Sequence, residues 1–294
     1  MKPSKRNRKW LIAAALFLLM AAVAAAIFFA AADRSAADDI PTDAQAQIAV
    51  HFVDVGQGDC AVIETPDGNL LIDAGTKQSE AAIKRCIDDL GITEFAYAIF
   101  THPHADHIGS AAAIVEAYAI DNVVMPNAVS TSKTFEKLIA AIEEKDCRVI
   151  EGKAGRCLTL GGLTIDLLAP VKAYDDLNNM SIVALLTYGD GTFLFTGDAE
   201  ALSETDMLEN GVPACDVLKV GHHGSSTSSS EEFIAAVSPQ IAVISVGEGN
   251  SYGHPHESTL ERLKAHDVQV LRTDLCGTIT ITCDGTRYKI KTEK

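Results

Sequence analysis

From residue 48 onward, short apolar stretches bounded by glycine, proline and asparagine alternate with segments whose apolar residues recur every three to four positions. The first pattern belongs to buried strands and the second to amphipathic helices, so the body of the chain is predicted to be α/β. Residues 48–53 read as a strand, 56–59 as a glycine-rich turn, and 60–64 with 69–73 as a hairpin about Pro66-Asp67-Gly68. A helix is expected over 79–90, stopped by Gly91, then a buried strand over 95–100 and a helix over 108–118. A short strand at 123–125, a helix at 132–145 and hairpins between 148 and 170 follow. The second half repeats the rhythm: a hairpin of 181–188 and 192–196, a helix over 201–209, a strand over 216–220, a helix over 230–237, a strand over 241–245, a helix over 258–266 and three closing strands. Two such βα halves bury their apolar faces by packing sheet on sheet with the helices outside.

The N-terminal pattern differs. Residues 11–32 form an uncharged apolar run behind a basic flank. At about 1.5 Å per residue the run reaches roughly 33 Å, enough to cross a bilayer. It exceeds the roughly 7–15 residues of a signal-peptide core, so it reads as an uncleaved transmembrane anchor, with cleavage near its alanine-rich end and secretion as the alternative. The basic flank then stays in the cytoplasm and the body lies outside the membrane. The predicted division is 1–32 for flank and anchor, 33–47 for a polar linker and 48–294 for one folded domain.

Charge narrows the function. Of 24 Lys and Arg residues five fall in the first ten positions, leaving 19 against 40 Asp and Glu, a charge of −21 for the remainder. A body this acidic is not a general nucleic-acid binder. The seven cysteines show no Cys-x-x-Cys spacing, which excludes a zinc knuckle or a disulfide-dense scaffold. Cys276 and Cys283 flank an expected strand, and their pairing is left open.

The densest chemistry is the stretch Thr101-His-Pro-His-Ala-Asp-His-Ile-Gly109, which holds three of the chain's nine histidines. Imidazole with carboxylate is the ligand set of zinc, manganese and iron. On a loop after a strand, His102 and His104 point to one side, while Asp106 and His107, on the turn into a helix, reach a second ion. Asp198, after glycine at a strand end, suits a carboxylate bridging both ions. His222 or His223 completes the second site, and because neighbours on a strand point oppositely, His222 is preferred. Asp73 is expected to hold the cluster loop by hydrogen bonds. His254 and His256, with Asn250 and Tyr252 nearby, are candidates to bind phosphate or protonate a leaving group, and Ser225 joins the substrate-binding candidates. His51 and His266 read as structural.

These residues carry a resemblance. Asp73, the His-x-His-x-Asp-His run, Asp198 and the His222-His223 pair resemble the metallo-β-lactamase-fold hydrolases. More narrowly, Val53-Asp-Val-Gly-Gln-Gly-Asp59, Asn178-Asn-Met-Ser181, Phe195-Thr-Gly-Asp198, Gly221-His-His-Gly-Ser225 and Tyr252-Gly-His-Pro255 resemble the extracellular nuclease-like domain of ComEC-type competence proteins. The resemblance covers about residues 48–284. It implies a four-layer αβ/βα sandwich, two divalent ions (Zn or Mn), a DNA or other phosphodiester substrate and partner proteins of a DNA-uptake system. One departure matters: no histidine lies between His107 and His222, so the third imidazole of the first metal site is missing and Asn179 or Ser181 stands in its place. An amide or hydroxyl holds zinc less well, so that site is expected to be weaker and to favour Mn²⁺ or exchange. A second departure is the single N-terminal span where full-length ComEC-type proteins have a polytopic channel, so the chain is not expected to carry DNA across a membrane alone.

The expected reaction is metal-assisted phosphodiester hydrolysis, with Asp106 and His254 as the catalytic residues and the leaving group protonated by His254 or by water at the metals. The acidic body keeps two rivals open. One is a hydrolase of a small phosphodiester or envelope ester, and the other a non-catalytic module that binds metal, DNA or a partner protein.

Overall fold

The computed structural model describes residues 47–294. The apolar span expected at 11–32 lies outside the described residues, and among those described no helix is long and apolar enough to cross a membrane.

Fifteen strands form two sheets. In the first, β1 (Ile48–Phe52), β2 (Ala61–Thr65) and β3 (Gly68–Ile72) run antiparallel; β4 (Glu94–Ile99), β5 (Ala119–Met125) and β6 (Arg148–Glu151) then join β3 in parallel. In the second, β7 (Arg156–Leu160), β8 (Leu163–Ala169), β9 (Val183–Tyr188) and β10 (Gly191–Phe195) are antiparallel. There β11 (Val217–Lys219), β12 (Ile241–Ile244) and β13 (Gln269–Arg272) continue in parallel. The last strands, β14 (Ile279–Cys283) and β15 (Tyr288–Thr292), return to the first sheet through β1.

The alternation within each strand explains the layering. Leu70 and Ile72 point into the space between the sheets, where they meet Ile165, Phe193 and Val243. Leu71 points outward onto Ile83, Ile87 and Ile114 of the first helical layer. Leu194 and Leu218 do the same in the second sheet against Phe233, Ile234 and Leu263. The two-sheet α/β sandwich expected from the sequence is therefore present.

Three elements differ from expectation. The helix predicted over 108–118 is broken into α2 (Ala105–Ile108) and α3 (Ala111–Ala117), after α1 (Glu80–Asp89). At the break the Gly109 and Ser110 amides donate to the Gly75 and Ala74 carbonyls, and a Cβ on Gly109 would collide with the backbone of Thr76, Lys77 and Ala105. Tertiary contacts thus override the helical period. Only half of the 148–170 region is a hairpin: β6 follows α4 (Lys133–Glu144) and adds in parallel, as a helical crossover allows. A helical turn, Thr273–Cys276, separates β13 from β14, and all seven cysteines are free thiols.

Candidate metal centre

Every group of the centre lies at the same end of the sandwich, just beyond a strand. Asp73 follows β3, His102 follows β4, Asp198 follows β10, His223 follows β11 and Ser245 follows β12. Side chains at strand ends escape the hydrogen-bond ladder yet inherit its rigidity.

The cluster loop is anchored from behind by Asp73, which is buried. Its Oδ1 accepts from the Thr101 amide at 2.8 Å, and its Oδ2 accepts from the Thr101 hydroxyl at 2.7 Å and from His107 Nδ1 at 2.8 Å. With Nδ1 donating to this carboxylate, His107 turns a bare Nε2 to within 3.1 Å of Asp198 Oδ1. The glycine-rich turn closes on the same loop: the Asp59 amide donates to the Asp106 carbonyl, and a Cβ on Gly58 would strike that carbonyl. Glycine is needed there for close approach.

The chain reverses sharply after β11. Gly221–Gly224 form a single helical turn in which His222 and His223 both take left-handed backbone angles, φ 49° and 52°. The strand alternation used to prefer His222 therefore does not operate. His223 is buried, donates from Nδ1 to the Ser245 carbonyl at 3.0 Å, and presents Nε2 to Asp106 Oδ2 at 3.4 Å and Asp198 Oδ1 at 3.7 Å. His222 is part-exposed, with Nε2 3.7 Å from Asp198 Oδ2 and Nδ1 3.2 Å from Glu200. Non-glycine residues in left-handed angles are strained, and the strain is spent here on aiming both imidazoles at Asp198.

Of the three His/Asp groups among the described residues that could hold a cation, Asp59, Asp73 and His107 form the backing already described, and the other two are ligand sets that share Asp198. Asp106, His107, Asp198 and His223 form one; His102, His104 and Asp198 form the other. In the second, His102 Nδ1 lies 3.2 Å from both Ser181 Oγ and Thr101 Oγ1, while its Nε2 faces His104 Nδ1 at 3.0 Å and Asp198 Oδ2 at 3.8 Å. Ser181, which also accepts from the Asp198 amide, orients both groups. Asn179 is committed elsewhere: its Oδ1 accepts from the Glu200 and Ser203 amides and its Nδ2 donates to Asp176. It ties down the start of α5 (Ala201–Glu209) and is hydrogen-bonded to neither His102 nor His104.

These residues fit divalent cations. His107 Nε2, His223 Nε2 and Asp198 Oδ1 are buried and converge, yet none has an aligned hydrogen-bond partner. Buried polar atoms are matched as a rule, and a cation at their meeting point would match all three. The electrostatics agree. Burial pushes the His107 imidazole down, but Asp198 and Asp73 overcome it and hold the group well above its usual range. His223 is likewise lowered by burial and raised further by Asp198 and Asp59, reaching about 9. The carboxylates thus call for positive charge at these nitrogens.

One buried ion pair behind His223 was not among the residues singled out from the sequence. Lys219, buried on β11, places Nζ 2.7 Å from Asp59 Oδ2 and donates to the Val220 carbonyl, while Asp59 Oδ1 lies 3.2 Å from His223 Nδ1. An apolar strand interrupted by one lysine was the available hint. Of the substrate-side candidates, Asn250 organises the 250–254 turn by accepting from the Tyr252 and His254 amides and donating to two carbonyls. His254 lines the cleft over the cluster together with Tyr252, His222 and His223. Burial, then His222, His223 and His256, push His254 down to about 4, so it is neutral at pH 7 before substrate binds. His256 accepts from the Ser226 amide, and Ser225 Oγ bonds Thr227; neither lines the cleft. His51, bonded to Thr280 and Glu64, and His266, bonded to Glu231, lie away from the cluster.

Comparison with known proteins identifies the family. Residues 53–248 match the model of the metallo-beta-lactamase superfamily. ComE operon protein 3 of Bacillus subtilis strain 168 is 34% identical over 78% of this chain and 32% of its own length. Competence protein ComA of Neisseria gonorrhoeae is 30% identical over 79% of this chain and 32% of its own. The chain thus spans about a third of these relatives. Among solved structures, the metallo-beta-lactamase fold protein YhfI from Bacillus subtilis aligns with a TM-score of 0.55 at 13% identity, covering 84% of this chain and all of that one. The matched model covers most of the chain, including the His-x-His-x-Asp-His run, Asp198 and His223: the protein belongs to the metallo-beta-lactamase superfamily.

Proposed function

We infer that the protein is a two-metal phosphodiesterase, a ComEC-like DNA nuclease, held at the outer face of the cytoplasmic membrane by residues 11–32. The observation that carries this reading is the pair of ligand sets meeting at Asp198 beneath an open cleft of about 270 Å³. A carboxylate shared by two sets suits two adjacent cations, the arrangement that hydrolyses phosphate esters. When bound, such cations polarise a phosphoryl oxygen and make water acidic enough to attack near neutral pH.

The chain's own residues supply position. Asp73 fixes the tautomer of His107 and the Ser245 carbonyl that of His223, so that both turn Nε2 toward Asp198. Ser181 aligns His102 with Asp198. His254, at the cleft wall, is the residue placed to donate a proton to a leaving group, and the negative charge of a bound diester opposes the burial and the neighbouring imidazoles that keep it neutral. The similarity to competence proteins supports DNA as the substrate and DNA-uptake proteins as partners. The acidic composition supports a short or single-stranded substrate over long duplex.

The test uses the full chain in detergent with Mn²⁺ or Zn²⁺, on single-stranded DNA, duplex DNA and bis-p-nitrophenyl phosphate, against Asp106→Ala with His107→Ala. DNA cleavage lost in the variant is expected. Turnover of the small diester alone would replace the nuclease by a small-ester hydrolase, and no turnover with any metal would leave a non-catalytic module.

A further inference from the structure

Two clefts open beside the ligand cluster and meet. The first, about 270 Å³, contains Asp106, His223 and His254; the second, about 420 Å³, lies toward Lys77 and Thr134. Gln57, Ala105, Asp106 and Tyr252 line both. Ordinary small-molecule sites enclose about 300–1,000 Å³, so the first cleft alone is small, and whatever flanks a reacting phosphate there extends into the second.

The second cleft carries two features that the metal centre does not use. Lys77, exposed, is the single lysine or arginine lining either cleft, and it forms no ion pair among the described residues. Tyr252 stands where the clefts join and is 64% exposed. Its ring stacks on His254 at 5.6 Å and 25°, and its hydroxyl has no hydrogen-bond partner among the described residues. The loop beneath it is held by Asn250, whose Oδ1 accepts from both the Tyr252 and the His254 amides. An exposed aromatic ring on a hydrogen-bonded turn, lining the same cleft as an unpaired cation, is the pairing by which proteins hold single-stranded nucleic acid: stacking for the base, charge for the backbone.

Resting on the phosphodiesterase reading, we propose that the second cleft is a subsite for the nucleotide flanking the scissile bond of a single-stranded polynucleotide. Tyr252 stacks on its base and Lys77 pairs with its phosphate. Duplex is disfavoured because its bases are already stacked, and because residues 11–294, with a net charge of −21, are poorly matched to a second phosphate backbone.

The experiment is equilibrium binding of a fluorescein-labelled oligothymidylate of about eight nucleotides to the full chain in detergent, followed by anisotropy over a salt series with Ca²⁺ present. Tyr252→Ala is expected to raise Kd roughly tenfold, with Tyr252→Phe close to the parent. Lys77→Gln is expected to lower the slope of log affinity against log salt by about 0.7, the loss of one single-strand phosphate contact. Lys289→Gln, the same charge change on edge strand β15, should leave that slope alone. Absence of oligothymidylate binding, unchanged affinity in both cleft variants, or equal affinity for a duplex overturns the proposal. Turnover of bis-p-nitrophenyl phosphate, measured separately, reports on the hydrolase reading, so turnover without oligonucleotide binding would sink the subsite alone.

Discussion

Replacing Lys219 by methionine isolates the buried pair behind His223. The two side chains are 4% and 7% exposed, with Nζ and Oδ2 2.7 Å apart. Burial pushes the Asp59 carboxyl up, but Lys219 and then His223 pull it further down, from 3.8 to about 2. A carboxylate depressed on folding adds stability that is present above its unfolded pKa of 3.8 and is lost as the pH falls toward 2. That displacement corresponds to roughly 2–3 kcal/mol. Lys219→Met removes the main attraction and strands a buried charge, so a loss of about 3 kcal/mol at pH 7 is expected, at the low end for breaking a buried pair. For a domain this size that lowers Tm by about 10 °C. The assay is urea denaturation followed by far-UV circular dichroism in EDTA, at pH 7 and at steps toward pH 4. The deficit should shrink in acid, because the unpaired Asp59 takes up a proton before the paired one does. Adding Asp59→Asn should recover at least half of it, since the neutral pair strands no charge. A loss below about 1 kcal/mol, or a double variant no better than Lys219→Met, would refute the reasoning.

Asp73→Asn keeps the shape but removes the charge that holds His107 Nδ1–H, so metal affinity should fall about 10–100-fold by chelator competition, with little change in fold. His223→Ala should lower bound metal, measured by elemental analysis, more than His222→Ala, because only His223 belongs to the buried four-group set; equal losses would contradict the assignment. Asn179→Ala should cost about 1 kcal/mol of stability, as a lost helix cap does, while metal content stays at the parent level. A drop in metal content would instead place Asn179 in the site.

The order of strands and helices, and the gathering of chemistry at strand ends, could be read from residue patterns, because apolar period and glycine placement are local properties. The run from His102 to His107 was legible for the same reason: four ligands within six residues are close whatever the fold. Asp73 and Asp198 were legible as carboxylates at strand ends, with the loop-holding and bridging tasks expected of them, but the contacts that perform those tasks arise only once β3 and β4 pair in one sheet and the end of β10, in the other sheet, faces them.

The His222-His223 pair marks the boundary between local and tertiary information. Sequence placed two imidazoles after an apolar strand. Which one enters the buried set was decided by the left-handed turn at 221–224, and that turn is held by the His222 amide on Gly197 and the Ser225 amide on His222. Asn179 and Ser181 divide in the same way: two residues apart in sequence, one caps a helix and the other touches His102. Composition therefore determined which ligands this protein has, whereas the packing of two sheets determined their partners. A side chain's type is set by its codon, but its direction is set by backbone angles that only long-range hydrogen bonds can hold.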